Sequence, residues 1–342
     1  MIDWVTCELP CRHVPLNAGA VMKVAADGCL EWHSPCRVRV EGSHESGVQV
    51  RSIGTIDAQG RASTLWFSGN PSKFLQGHNV FGSDDLVALM LDTYLKVLAS
   101  LDIVPNLDDL KQVKQGAYPL MSVDINQSFD LPSRSDVLAW IRAAEYKSKT
   151  RHGRPSMKGG TLYWGKSSQR WALKVYSKGE EIEAPKHRLP SAFNNTYLAK
   201  WADTKLRLEL RIKKKQLREL NIETASQMTL AAVKRIYQTY VEKIEMNEQI
   251  ALSDEQQMNL PRGLCSTYIL WKQGHDLRSI LPKNTYYRHR RALMEQGIDI
   301  AFCQESIEKT NVIPLLKVLE AQPASIPDWA FNQNLVHHSA RL

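Results

Sequence analysis

The chain has 342 residues, 43% hydrophobic and 23% charged, with a formal net charge of +8 and a pI near 9.1. That is long enough for about two domains with proper cores, and it is too apolar for a disordered chain. No apolar run is long enough to span a membrane, and the charge is unevenly placed. Residues 1–141 carry a net −5, residues 142–178 a net +9 and the remainder +4. A basic block of that kind points to a polyanionic partner.

Six cysteines, Cys7, Cys11, Cys29, Cys36, Cys265 and Cys303, form no C-x-x-C pair. A disulfide framework or zinc site is not expected, and a reducing cytoplasm is. The N-terminus has no charged leader followed by an apolar run, so no signal peptide is expected either.

In chain order, Cys36–Glu41, Val48–Ile53 and Ser63–Ser68 read as strands between glycine-containing turns. Ser83, Asp84 and Asp85 supply cap chemistry for a helix to about Ser100, whose Leu86, Met90, Leu91, Tyr94, Val97 and Leu98 form a core stripe. Leu120–Phe129 alternates, with Ser122, Asp124 and Asn126 on one side. Ser133 or Ser135 caps a second helix, Asp136 to about Lys147. A basic, glycine-bearing loop follows to Gly160, then a hairpin of Thr161–Trp164 and Arg170–Ser177.

Leu206–Lys213 is the clearest strand, with Leu206, Leu208, Leu210 and Ile212 on one face and Arg207, Glu209, Arg211 and Lys213 on the other. From about residue 222 the pattern turns helical: Thr229 to about Glu245, then two short helices within Arg262–Ile300 around L-P-K-N. A proline-bearing tail, read as loop, starts near Gln322. The expected fold is α+β: a mainly antiparallel sheet with helices on one face over residues 1–221, and a helical region over 222–342.

Three strands offer a polar face beside an apolar one. On Trp171–Lys178 the polar face holds Lys174, Tyr176 and Lys178, so the phenol would be flanked by two ammonium groups that favour phenolate and attract phosphate. Asp124 and Glu209 stand on the other two strands. Paired in one sheet, these faces make a basic surface with two carboxylates, the donor type that Mg²⁺ takes alongside phosphate oxygens and water. Such a tyrosine is a candidate nucleophile for phosphodiester transesterification. The same acids could instead be exposed partners of Arg207 and Arg211, and Tyr176 plain packing. Tyr163, Tyr197, Tyr237 and Tyr240 are rival nucleophiles for which packing is the better reading.

Several blocks, in order over roughly residues 60–330, resemble the replication initiator (gene II protein) family of filamentous bacteriophages. They are K-F-L-Q-G-H-N-V-F-G (Lys73–Gly82), S-V-D-I-N, the Y-x-K run at Tyr176, R-L-E-L-R-I-K, N-V-I-P-L-L (Asn311–Leu316) and P-D-W (Pro327–Trp329). The Y-x-K and R-x-E-x-R pieces also recur in rolling-circle plasmid initiators. The resemblance implies nicking of one strand of the double-stranded replicative form at the plus-strand origin, through a tyrosine that becomes linked to the 5′ phosphate. The 3′-hydroxyl primes synthesis, and the displaced strand is rejoined. By motif position the nucleophile is Tyr176, with Lys174 and Lys178 beside it. Asp124 and Glu209 match the acidic positions, taken here as ligands for Mg²⁺ or Mn²⁺.

The His-hydrophobic-His pair of many rolling-circle initiators is missing, and His78 is either a third ligand or a turn brace. Expected DNA contacts are Arg151, Arg154, Lys158, Arg207, Arg211, Lys213 and Lys214. Arg288, Arg290 and Arg291 join them on a helix of helix-turn-helix type, or one that merely packs beside DNA. Expected partners are the replicative-form duplex, its displaced single strand, and host helicase and polymerase, with no membrane, in the bacterial cytoplasm. The runner-up readings are a non-catalytic origin-binding regulator and a conjugative-type relaxase.

Overall fold

The computed structural model describes residues 1–16, 18–194, 196–246, 254–296, 298–301, 318–319 and 322–339. Cys303 and the N-V-I-P-L-L block, Asn311–Leu316, lie outside the described residues.

The strands in chain order are β1 (Ile2–His13), β2 (Ala20–Val24), β3 (Leu30–Pro35), β4 (Val38–Glu41), β5 (Gly47–Ile56), β6 (Ala62–Gly69), β7 (Leu120–Asp130), β8 (Ser148–Lys149), β9 (Ser156–Lys158), β10 (Thr161–Trp164), β11 (Trp171–Ser177), β12 (Lys205–Lys213) and β13 (Glu245–Met246). The helices used below are α1 (Pro71–Gln76), α2 (Leu86–Ser100), α3 (Leu107–Lys114), α4 (Arg134–Lys147), α5 (Lys178–Glu183), α6 (Leu198–Asp203), α7 (Lys214–Glu219), α8 (Leu230–Val241), α9 (Asp254–Met258), α10 (Arg262–Lys272), α11 (Leu277–Ile280) and α12 (Lys283–Met294).

Among the described residues, nine strands form one antiparallel sheet in the order β4-β5-β6-β1-β7-β12-β11-β10-β9. The fold is α+β. Period-two alternation decides which face each strand buries. Leu206, Leu208, Leu210 and Ile212 of β12 are fully buried, as are Leu173 and Val175 of β11 and Val123 of β7. They face α2, α4 and α8, whose Met90, Tyr94, Trp140, Ile236 and Tyr237 complete one continuous core reaching Ile244. Side-chain caps start α2 and α4: Asp85 accepts from the Ala88 amide at 3.1 Å and Ser133 from that of Asp136 at 3.2 Å. Such caps satisfy donors that the first helical turn leaves open.

β1 is an inner strand of this sheet, between β6 and the central β7. Val5, Cys7, Leu9 and Cys11 alternate inward and are buried. The two thiols act here as small hydrophobes, and burial pushes the Cys11 thiol up to about 11.

A second, smaller core joins Val80 and Phe81 to Ile182, Phe193, Leu198 and Ala330. The tail contributes to it through a short helix, Asp328–Asn332, where a loop was expected. A third core, Tyr268, Trp271, Leu277, Tyr286 and Leu293, holds α10, α11 and α12 together. Among the described residues no helix is long and apolar enough to cross a membrane.

Candidate active site

The face of the sheet away from the large helices carries the polar residues of the same strands. The register sets Lys174 opposite Glu209, Tyr176 opposite Arg207, Asp124 opposite Arg211, and Tyr163 opposite Lys174. A cavity of about 940 Å³ opens there, and Asp124, Lys174, Tyr176, Glu209 and Arg211 all line it. Arg39, Lys73, Lys186 and Arg188 also contribute to its walls, as do Asp3, Glu45 and Glu181, so cations and carboxylates nearly balance in its lining.

The phenol of Tyr176 is 7% exposed and donates to Glu209 Oε2 at 3.3 Å. The Lys174 ammonium lies 2.7 Å from the other oxygen, Oε1, and 5.5 Å from the centroid of the Tyr176 ring. Asp124 takes the Arg211 guanidinium through two nitrogens at 2.9 and 2.5 Å, a bidentate pair.

The electrostatics differ from the flanked-phenol expectation. Burial, reinforced by Glu209 and Glu181, holds the Tyr176 hydroxyl well above the usual tyrosine range, so it is neutral. One cause is that Lys178 is not its neighbour on the strand. β11 ends at Ser177, whose hydroxyl caps α5 by accepting from the Glu180 amide at 3.3 Å. Lys178 is therefore the first helical residue. It is fully buried and donates to Asn79 Oδ1 at 2.9 Å and Glu181 Oε2 at 2.5 Å. Burial and Arg207 bring its ammonium down to about 8. Burial also raises the Glu209 carboxyl, with Asp3 and Asp124 acting in the same sense against Lys174. Burial would lower Lys174, but Glu209 outweighs it and the ammonium rises.

Three expected site residues stand elsewhere. His78 is 1% exposed and sits edge-on to Phe81 and Phe193, with Nδ1 receiving the Val80 amide at 3.3 Å. It braces a turn and does not line the cavity. Burial in this aromatic nest brings its ring down to about 3. Arg207, expected to contact DNA, is 1% exposed. It donates to Ser128 Oγ at 3.0 Å and to the carbonyls of Asn79 and Val80 at 2.6 Å each. Its guanidinium holds that loop over the sheet. Arg290 turns from its helix to Asp299, at 2.6 and 2.8 Å.

The other cations divide by exposure. Arg151, Lys158, Arg211, Arg288 and Arg291 are exposed, Arg154 is half-buried 3.7 Å from Asp276, and Lys213 donates to the Ser168 carbonyl at 2.7 Å. Lys214 is half-buried in a second groove beside the first. Among the rival tyrosines, Tyr237 is buried on the Leu208 carbonyl at 3.0 Å and Tyr240 packs edge-on to Trp171, as packing predicts. Tyr197 is exposed against Trp329. Tyr163 does not follow the packing expectation: it lies on the open face and lines the cavity.

Sequence reasoning missed Asp3, Asn79 and Glu181, all in the cavity wall. Asp3 is 6% exposed and receives the side-chain amides of Asn70 at 2.7 Å and Asn79 at 3.0 Å. Against the effect of burial, Lys174, Lys178 and Arg207 hold it below the usual carboxylate range. It reaches the open face through a β-bulge. Ile2 pairs with Ile125 and Val5 with Val123, so Asp3 and Trp4 together stand where Asp124 alone stands on the facing strand. Bulges re-aim side chains in this way beside functional sites. Alternation alone would have sent Asp3 inward with Val5, Cys7 and Leu9, so the sequence carried no signal for its place. Among the described residues, no three His, Cys, Asp or Glu side chains are grouped so as to enclose a metal ion.

Fold and site together describe an α+β protein with a cavity that holds Tyr163, Tyr176 and a set of paired acidic and basic side chains. Comparison with known sequences makes that description specific. The N-terminal profile of the phage replication-associated protein, the gene II protein, matches residues 1–231, and its C-terminal profile matches residues 252–336. The replication-associated protein of Enterobacteria phage I2-2 is 46% identical over 344 aligned positions, covering 100% of this chain and 99% of the relative. The corresponding protein of Enterobacteria phage M13 is 25% identical over 76% of this chain and 75% of its own length. The chain belongs to the replication-associated (gene II) protein family of phages.

Proposed function

We propose that this protein initiates rolling-circle replication by nicking one strand of a double-stranded phage replicative form at its origin and later rejoining it, with Tyr176 as nucleophile. The observation that carries this reading is the contact of the Tyr176 phenol with Glu209, inside a cavity that also holds Lys174. A phenol buried against a carboxylate and an ammonium suits proton transfer at the moment of attack better than it suits packing.

In the proposed step Tyr176 Oη forms a bond to the scissile phosphorus as the bond to the 3′ oxygen breaks. The phenolic proton passes to Glu209, the carboxylate 3.3 Å away that already accepts the phenol's hydrogen bond. The departing 3′ oxygen takes its proton from Lys174. The products are a 5′ phosphate on Tyr176 and a free 3′-hydroxyl, the primer end for synthesis. The phosphotyrosine keeps the phosphodiester at about the same energy, so rejoining is the same exchange in reverse and needs no cofactor hydrolysis.

Asp3, Asp124 and Glu209 are oxygen donors of the kind Mg²⁺ or Mn²⁺ accepts, one or two at a time with phosphate oxygens and water. When bound there, the ion would polarise the phosphate and offset charge building on it. Arg211 on Asp124 and Lys174 on Glu209 would have to yield to it. The remaining partners follow from the same reading: the displaced single strand and, from the host, a helicase and a polymerase.

The test is nicking of supercoiled DNA carrying the cognate origin by the unmodified protein, Tyr176→Phe and Tyr163→Phe. Loss of at least about a thousandfold in Tyr176→Phe, with Tyr163→Phe still active, is expected, since the nucleophile has no substitute. Undiminished nicking by Tyr176→Phe would move the nucleophile elsewhere. No nicking by any form in any divalent ion, with origin binding intact, would leave the non-catalytic regulator.

A further inference from the structure

Beyond the wall formed by Trp4 and Arg211, the cavity is followed by a second groove of about 720 Å³. Trp4 and Arg211 line both spaces, and Lys213, Lys214 and Lys215 line the second. The two are therefore consecutive parts of one path across the open face. Trp4 is 40% exposed, unusual for so large an apolar ring. Its indole nitrogen donates to Ser68 Oγ at 3.0 Å, and that hydroxyl is also bonded to Thr6 at 2.9 Å, so the ring is held in position. It faces outward by the alternation that turns Val5, Cys7 and Leu9 inward, next to the bulge that brings Asp3 to the same face. Trp66, further along the sheet, is 9% exposed and covered by the guanidinium groups of Arg37 and Arg51 at 4.7 and 5.0 Å, so it offers no free face.

An oriented, uncovered indole between a tyrosine cavity and a run of lysines is the pattern of a stacking platform in an electrostatic groove. Resting on the nicking reading, we propose that Trp4 is the base-stacking platform, and Lys213, Lys214 and Lys215 the backbone track, for the strand next to the scissile phosphate. One base stacks on Trp4, and the backbone continues along Lys213, Lys214 and Lys215. A paired, stacked base has no face to give to Trp4, so this path requires the duplex to be opened on this side of the nick.

The experiment is anisotropy of a labelled oligothymidylate of roughly 16 nucleotides, the upper end of such site sizes. It is titrated with the full-length protein, Trp4→Ala, Trp4→Phe and Lys214→Ala/Lys215→Ala over a range of salt concentrations. Trp4→Ala is expected to bind roughly 5- to 100-fold more weakly, the range of one lost base stack. Trp4→Phe keeps a ring and should stay within about threefold of the parent. The double lysine variant should reduce the slope of log affinity against log salt by about 1.4, two single-strand charges. Thermal unfolding of each variant checks that the sheet is intact, and Trp4→Phe separates stacking from folding. Oligothymidylate binding unchanged in Trp4→Ala, or equally weakened in Trp4→Phe, would overturn the proposal. So would an equal loss of affinity for a duplex of the same length. Origin nicking by the parent protein is read in parallel. Failure there with these binding effects present counts against the nicking reading alone, and intact nicking without them counts against this one alone.

Discussion

Arg207 and His78 show how little a residue's type says about its task once burial is known. Arg207 donates all its bonds to Ser128 and to two carbonyls of the Asn79–Val80 segment. Arg207→Met would keep the bulk and leave those carbonyls without donors, at about 1–3 kcal/mol each. We expect a loss of about 3 kcal/mol in urea unfolding; a variant as stable as the parent would show that the loop finds other donors. His78 makes a prediction about pH. Burial takes its ring from 6.5 down to about 3, so below pH 6.5 the unfolded chain takes a proton that the folded one refuses. The associated stability is present above pH 6.5 and is lost as pH falls toward 3, at up to about 1.4 kcal/mol per pH unit. His78→Asn, which can still accept the Val80 amide, should show a flatter decline than the parent between about pH 6.5 and 5 in chemical unfolding. Parallel declines would contradict a neutral buried imidazole.

At the scale of elements, period-two alternation was the reliable guide. It made β12 legible almost to the residue. It also put Asp124, Lys174 with Tyr176, and Glu209 on the polar faces of their three strands, and the register brings those four to one cavity. It failed at Lys178, because whether a strand continues or turns into a helix depends on a cap, and Ser177 is that cap. It failed at β1, where cysteines fill core positions and a bulge shifts the parity at Asp3. Asn79 and Glu181 were out of reach for another reason. Their place in the cavity is tertiary, set by Arg207 and Lys178 drawing separate segments over the sheet.

The tail is the remaining surprise among the elements. Trp329 packs edge-on to Phe81 at 5.8 Å, and His337 bonds to Gln76 and Asp92 at 2.8 Å each. The chain's end thus supports the loop that carries Asn79. Trp329→Ala should lower stability by about 2 kcal/mol, as a half-buried aromatic would. It should also reduce nicking more than the stability loss explains, because Asn79 holds both Asp3 and Lys178. Full activity in Trp329→Ala at a temperature where it is folded would separate the tail from the site.

Across the whole molecule the cations stand in two separate places. Cations lining the cavity face the proposed scissile strand, while α12 presents Arg288 and Arg291 from a separate small core. If that helix meets the origin duplex, Arg288→Gln/Arg291→Gln should weaken origin-duplex binding by roughly tenfold at moderate salt and lower the salt slope by about 1.8. Binding of oligothymidylate should not change. An equal loss for both ligands would place α12 on the single-strand path instead.

The proposed chemistry turns on one oxygen atom. The most direct measurement is to let the protein cleave an origin fragment carrying labelled phosphate at the nick, digest the complex and locate the amino acid that retains the label. The expected label is on Tyr176, stable to acid as a phosphotyrosine, in a peptide spanning Trp171–Lys178. Label on Tyr163, on any residue outside the cavity, or released with no protein adduct would contradict it.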